Sequence, residues 1–145
     1  ILSSACFYGA HYFSSKKGQK LTDLEKKILR ERIVYARIWL EKYAPDNARF
    51  KFKERLVRED IEKLSSQQKS YLAALINLVK NAKGSADLEK GMYDLSTKMG
   101  ISTKDAFVSV YSILIGKTHG PKAAWLIMSE DKNKVLKRIK EVLKK

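Results

Sequence analysis

The chain has 145 residues, 44% of them apolar, with 30 Lys and Arg against 16 Asp and Glu, a formal charge of +14. This apolar content and length exclude a disordered chain and support one domain, with room for two lobes, burying roughly 68–70% of its unfolded surface. A single cysteine, Cys6, excludes an internal disulfide and a cysteine-built zinc site, and no apolar run reaches the roughly 18–20 residues of a membrane span.

The positive charge is distributed. Residues 1–60 hold 14 basic and 8 acidic residues, and residues 61–145 hold 16 and 8. A surface of this kind favours polyanions, nucleic acid before anionic membrane; a lysine-rich solvated surface is the plainer alternative. The N-terminus lacks the basic start and cleavage pattern of a signal peptide. It also lacks an initiator Met and begins as though mid-helix, so residues 1–145 read as a piece of a longer chain. One unpaired cysteine fits a reducing, cytoplasmic setting.

Sparse Pro and Gly, little β-branched alternation and frequent Lys, Glu, Leu and Ala predict an all-α chain, a bundle of about seven helices. The first spans residues 1–13, followed by the loop SSKKGQK. Thr22 to Glu25 form a capping box that opens a long helix to about Tyr43, with Leu24, Ile28, Tyr35, Ile38 and Trp39 near helical spacing. Pro45 ends it. An irregular link follows through Phe52, and residues 56–64 suit a short helix. Ser65 to Gln68 form a second capping-box pattern, opening a helix to about Ala82. Ser85 is expected to cap the next helix, which stops at Gly100. Ser102 and Asp105 start another that ends at Gly116. Gly120-Pro121 should begin a further helix with Pro in its first position, and a last helix runs from about Lys132 with Val135, Leu136, Ile139 and Leu143 on its apolar face.

Signs of catalysis are sparse. His11 and His119 stand far apart, with no nucleophile beside either, and no Gly-rich phosphate loop is present. Three constellations suit RNA instead. Arg30 and Arg37 fall on nearly the same side of the long helix at about 100° per residue, while Tyr35, Trp39 and Tyr43 lie one turn apart on another. The arginines could grip phosphates or pair with Glu25, Glu31 or Glu41; Trp39 is expected in the core. Arg49-Phe50-Lys51-Phe52-Lys53 interleaves charge and aromatics, which suits a single strand or a plain alternation of inward Phe and outward Lys. Lys117, His119 and Lys122 surround the expected helix start at Pro121, where free N–H groups and the helix dipole attract phosphate. Trp125 is expected in the core.

Two of these stretches carry a resemblance. RERIVYARIWLEKYAP (residues 30–45) resembles the RxxYARxWLExYAP segment of archaeal-type class I lysyl-tRNA synthetases. FVSVYSILIGKTHGPKAAWLI (residues 107–127) resembles their FxxxYxxLxGxxxGPRxxxLI segment. Ile38 stands where that pattern often shows Asn, and Lys122 where it often shows Arg, which keeps the charge but loses the planar fork. Lys98 to Ser102 is a poor match to the KMSKS loop of such enzymes, and Gly100 there reads as a helix stop. The resemblance implies that residues 1–145 are an anticodon-binding domain of the α-helix cage type, a fragment of a longer chain. The implied partners are the anticodon stem-loop of lysine tRNA and an N-terminal catalytic domain, with no membrane. The parent would be a cytoplasmic lysine–tRNA ligase using ATP with magnesium. The fragment would hold no cofactor, metal or catalytic residue. The expected RNA contacts are Arg30, Arg37, Arg49, Lys51, Lys117, His119 and Lys122. A free-standing helical RNA- or DNA-binding module with no enzymatic partner domain is the alternative reading.

Overall fold

The structure is a computed structural model that describes residues 10, 13–45 and 50–144. The chain divides into two compact units, Ile1–Arg49 and Phe50–Lys145. All regular structure among the described residues is helical: seven helices, α1 to α7, and a helical stretch at residues 13–17. The expected all-α class holds. Most of the helix expected at residues 1–13 lies outside the described residues. Residues 14–17, expected in a loop, are helical, and the turn comes at Gly18.

In the first unit, α1 spans Asp23–Lys42. Its capping box forms as the spacing requires. The Glu25 amide donates to Thr22 Oγ1 at 3.3 Å and the Thr22 amide donates to Glu25 Oε2 at 2.7 Å. Lys17 Nζ donates to the other Glu25 oxygen at 2.5 Å. Lys17 first, and the Thr22 amide second, hold the Glu25 carboxyl down at about 2. At the far end the Tyr43 and Ala44 amides both donate to the Trp39 carbonyl, at 2.8 and 2.9 Å, and Pro45 follows.

The second unit is built around α3, Ser66–Asn81, which packs against α4 (Ser85–Lys98), α5 (Thr103–Ile115) and α7 (Lys132–Leu143). Tyr71, Leu72, Leu75 and Val79 of α3 are buried against Leu88 and Met92 of α4, Val110 and Leu114 of α5, and Val135 and Ile139 of α7, in one core cluster. Polar groups inside it are satisfied, as burial demands. The Tyr71 hydroxyl donates to the Met92 carbonyl at 3.2 Å. Gln68 closes the capping box of α3, accepting from the Ser65 amide at 2.9 Å, and its Nε2 donates to the Asp105 carbonyl at 2.9 Å, tying the starts of α3 and α5 together. The short helices α2 (Arg58–Glu62) and α6 (Ala123–Ser129) complete the unit.

Two helix starts and part of one apolar face differ from expectation. Gly84, rather than Ser85, is the N-cap of α4, and Ser85 is its first helical residue. Pro121 precedes α6 instead of opening it. Its carbonyl accepts from the Tyr111 hydroxyl at 2.7 Å, so the first carbonyl available to the helix is that of Lys122, which takes the Leu126 amide at 3.0 Å. On α7, Val135 and Ile139 are buried as expected, but Leu143 is exposed and Val142 is buried instead.

Arg138 also lies on the buried face of α7, with 5% of its surface exposed. Nη1 donates to the Ile113 carbonyl at 2.8 Å, and Nη2 to the Lys53 and Glu54 carbonyls at 2.6 and 3.1 Å. The guanidinium carbon lies 4.9 Å from the Phe52 ring centre, and Nε is 3.6 Å from Glu141. Burial pushes the guanidinium below its ordinary value while Glu141 opposes this; an arginine stays charged regardless. Its acceptors include the last turn of α5, where carbonyls lack intrahelical donors and the dipole is negative. The Lys53 amide satisfies another of these carbonyls, Leu114, at 2.7 Å.

Two outcomes follow. Arg138→Met should cost about 3 kcal/mol in urea unfolding, because buried carbonyls lose a charged donor, and Arg138→Lys should recover only part, since an ammonium cannot reproduce the fork. For Glu25, the folded carboxyl sits below its ordinary 4.5. Its contribution to α1 is therefore complete at neutral pH and fades as pH falls from about 4.5 toward 2. Acid titration by circular dichroism should show a helicity loss in that window that Glu25→Gln lacks.

Candidate RNA-binding surface

The expected contact residues fall into separate groups. Arg30 and Arg37 belong to the first unit, and Lys51, Lys117, His119 and Lys122 to the second. Arg49 lies outside the described residues.

Residues 50–53 run without helix beside the end of α5. Phe50 and Phe52 pack partly buried against the core while Lys51 is exposed, so the alternation of inward Phe and outward Lys holds to that point. Lys53 departs from it: its amide is bound to α5 and its ammonium pairs with Asp60. Lys117 Nζ sits 4.9 Å over the centre of the Phe50 ring. Phe50 thus gathers Lys117 to the segment that carries Lys51, at the C-terminal end of α5. The pairing depends on Gly116, which ends α5 in the left-handed region at φ 68° and donates back to Tyr111 and Ser112. A side chain is disfavoured there.

The rest of the turn folds back tightly. A Cβ on Gly120 would lie 2.9 Å from Ile115 Cδ1 and 3.0 Å from the Tyr111 ring. His119 is exposed. Lys122 points elsewhere than expected, pairing with Glu89 of α4 at 3.4 Å. Lys122 is the N-cap residue of α6 and so stands at the helix start, but the ammonium groups of the turn have separate partners. Lys117 goes to Phe50, Lys122 to Glu89, and the α6 N-terminus begins past Pro121 on a helix of seven residues with no side-chain cap.

On α1, Arg37 Nε donates to Glu41 Oε1 at 2.7 Å, the intrahelical alternative left open by the spacing. Arg30 is exposed. Trp39 is 51% exposed, Tyr35 70% and Tyr43 72%, and no residue of α1 is buried, so Trp39 is not a core residue. Trp125 of α6 is half-buried beside the buried Ala124 and Leu126. Sequence reasoning missed the residues that aim the lysines, Phe50 as a cation–π platform, Tyr111 and Glu89. Only the Phe–Lys alternation signalled any of them. It also missed Arg138, whose i+3 spacing from Val135 and i−4 spacing from Val142 put it on the apolar face.

The second unit is thus a helical bundle with a hydrogen-bonded core and exposed lysines in its loops. The chain belongs to a family described as "Anticodon binding domain", whose model matches residues 11–143. It is 33% identical over 128 residues to a lysine–tRNA ligase of Archaeoglobus fulgidus, covering 88% of this chain and 25% of that protein. It is 33% identical to one of Thermococcus kodakarensis over 84% of this chain and 23% of that protein, and 31% identical to one of Thermoplasma acidophilum over 89% and 25%. The chain thus spans about a quarter of the length of these relatives. No described helix is long and apolar enough to cross a membrane.

The exposure of Trp39 has a direct readout. Acrylamide should quench two tryptophan populations in the chain, and Trp39→Phe should remove the more accessible one, leaving the shielded emission of Trp125. A single shielded population in the parent chain would contradict the exposure.

Proposed function

We propose that this domain recognises the anticodon of lysine tRNA on behalf of a cytoplasmic class I lysine–tRNA ligase. The observation that carries the reading is the match of an anticodon-binding family along residues 11–143, over the same stretch that is similar to several lysine–tRNA ligases. Residues 1–145 are the anticodon-binding part of a longer chain, whose remaining portion joins lysine to tRNA with ATP. Among the described residues no group of three or more His, Cys, Asp or Glu could hold a metal ion.

Binding proceeds from charge to fit. The excess of +14 draws the stem-loop in, and each neutralised phosphate releases counterions. Unstacked anticodon bases are then read by stacking and by hydrogen bonds to their edges. Lys51 and Lys117 approach the backbone together at the Phe50 end of the bundle. Lys122, His119, Arg30, Arg37 and Arg49 supply the remaining contacts. Lys122 and Arg37 are released at small cost, because exposed pairs such as Lys122–Glu89 and Arg37–Glu41 contribute about 0–1 kcal/mol. A lysine at position 122 suits a phosphate, which needs a charge, better than a base edge, which rewards a planar fork.

The test is fluorescence anisotropy with a labelled lysine-tRNA anticodon stem-loop. The chain should bind it at low salt, weaken steeply as salt rises, and discriminate against a scrambled anticodon. The double variant Lys117→Ala, Lys122→Ala should bind roughly tenfold more weakly, a loss of about 1.4 kcal/mol, with an unchanged melting temperature. Equal affinity for native and scrambled loops would reduce the domain to a non-specific RNA binder.

A further inference from the structure

The C-terminal end of α3 and the outer face of α7 enclose a groove of about 510 Å³ whose lining includes Lys80, Asn133, Lys137, Lys140, Glu141 and Lys144. Lys137, Lys140 and Lys144 recur at i, i+3 and i+7 and so share one face of α7. Lys132 Nζ donates to the Lys80 carbonyl at 2.6 Å, fastening the start of α7 to the end of α3 and bringing Lys80 to the same groove. None of the four lysines that line it makes an ion pair among the described residues, and Glu141 is turned to Arg138 at 3.6 Å. Four like charges gathered around one depression repel one another, and folding alone gives no reason to place them there.

The partner follows from the other side of the helix. Val135 is fully buried, and Ile139 and Val142 are 1% exposed, all within the core. An interfacial helix must offer an apolar face to the bilayer, and α7 has already spent its own on α3 and α5. What remains outward is Leu136 at the groove, a half-exposed Leu143 and mainly the ammonium groups of Lys137, Lys140 and Lys144, which act as point charges and suit phosphates without regard to base identity. We propose that the α3–α7 groove binds the phosphodiester backbone of RNA as a sequence-blind grip, distinct from the residues that read the anticodon. The inference rests on the RNA-binding reading above and adds a second surface to it.

The triple variant Lys137→Ala, Lys140→Ala, Lys144→Ala of the 145-residue chain tests this, titrated against native and scrambled stem-loops at several salt concentrations. Its affinity should fall roughly tenfold at low salt, by the same factor for both RNAs. The slope of log K against log salt should become shallower by about 2, as expected for three phosphate contacts at about 0.7–0.9 each. Replacing the same three lysines by arginine should restore the slope, which a fold defect in the alanine triple would not explain. An unchanged slope in a folded alanine triple would overturn the proposal, as would a loss confined to the native loop. Vesicles rich in phosphatidylserine form a further arm: binding by the parent chain that the triple abolishes, with RNA affinity untouched, would assign the groove to membrane and overturn it too. The two readings fail separately. A parent chain without anticodon preference whose triple still shows the shallower slope loses the anticodon assignment and keeps the groove. A preserved preference with an unchanged slope does the opposite.

Discussion

The buried guanidinium of Arg138 ties together three pieces of chain, α5, α7 and the segment before α2. An α-helix ends with carbonyls that lack donors, and burying them costs about 1–3 kcal/mol each when nothing replaces water. At the end of α5 this need is met twice from outside the helix, by Arg138 on the Ile113 carbonyl and by the Lys53 amide on that of Leu114. The same guanidinium reaches the Lys53 and Glu54 carbonyls, so the irregular strand of residues 50–54 is clamped between α5 and α7. The stacking of Phe52 beneath the guanidinium, the outward aim of Lys51 and the meeting of Phe50 with Lys117 all depend on where that segment lies.

A division of labour follows from the energetics. The interior of the second unit is tightly determined: Tyr71, Gln68 and Arg138 each have named partners, and removing one strands a buried group. The rim is loosely determined. Its ion pairs are exposed, individually weak and easily exchanged for a phosphate. A rigid core with exchangeable cations at its edge lets an RNA be gripped without any cost to the fold.

Local chemistry was legible wherever the physics is local. Thr22 with Glu25 and Ser65 with Gln68 close their capping boxes at the spacing that makes such boxes possible. Gly100 and Gly116 stop their helices at positive φ because few other residues tolerate it. Elsewhere the local rule lost. Pro121 is a good opening residue for a helix, but Tyr111 takes its carbonyl and moves the start of α6. Ser85 is a good cap, but the chain caps at Gly84. Trp39 looks like core because its stripe is apolar, yet periodicity marks a face without saying what covers it.

From residues alone came the all-α class, most helix boundaries, the polyanionic preference and the likeness to an anticodon-binding family. Each is written in spacing, composition or motif, quantities that a linear sequence holds directly. Which cations act together was decided only by the tertiary structure. Lys117 and Lys122, five residues apart, go to different partners, Phe50 and Glu89. Lys80 and Lys137, far apart in the chain, line one groove. Arg138, one of seven basic residues in the last fourteen, is the one among the described residues that turns inward. Side-chain direction depends on what packs opposite, and that is settled by long-range contacts no local pattern contains.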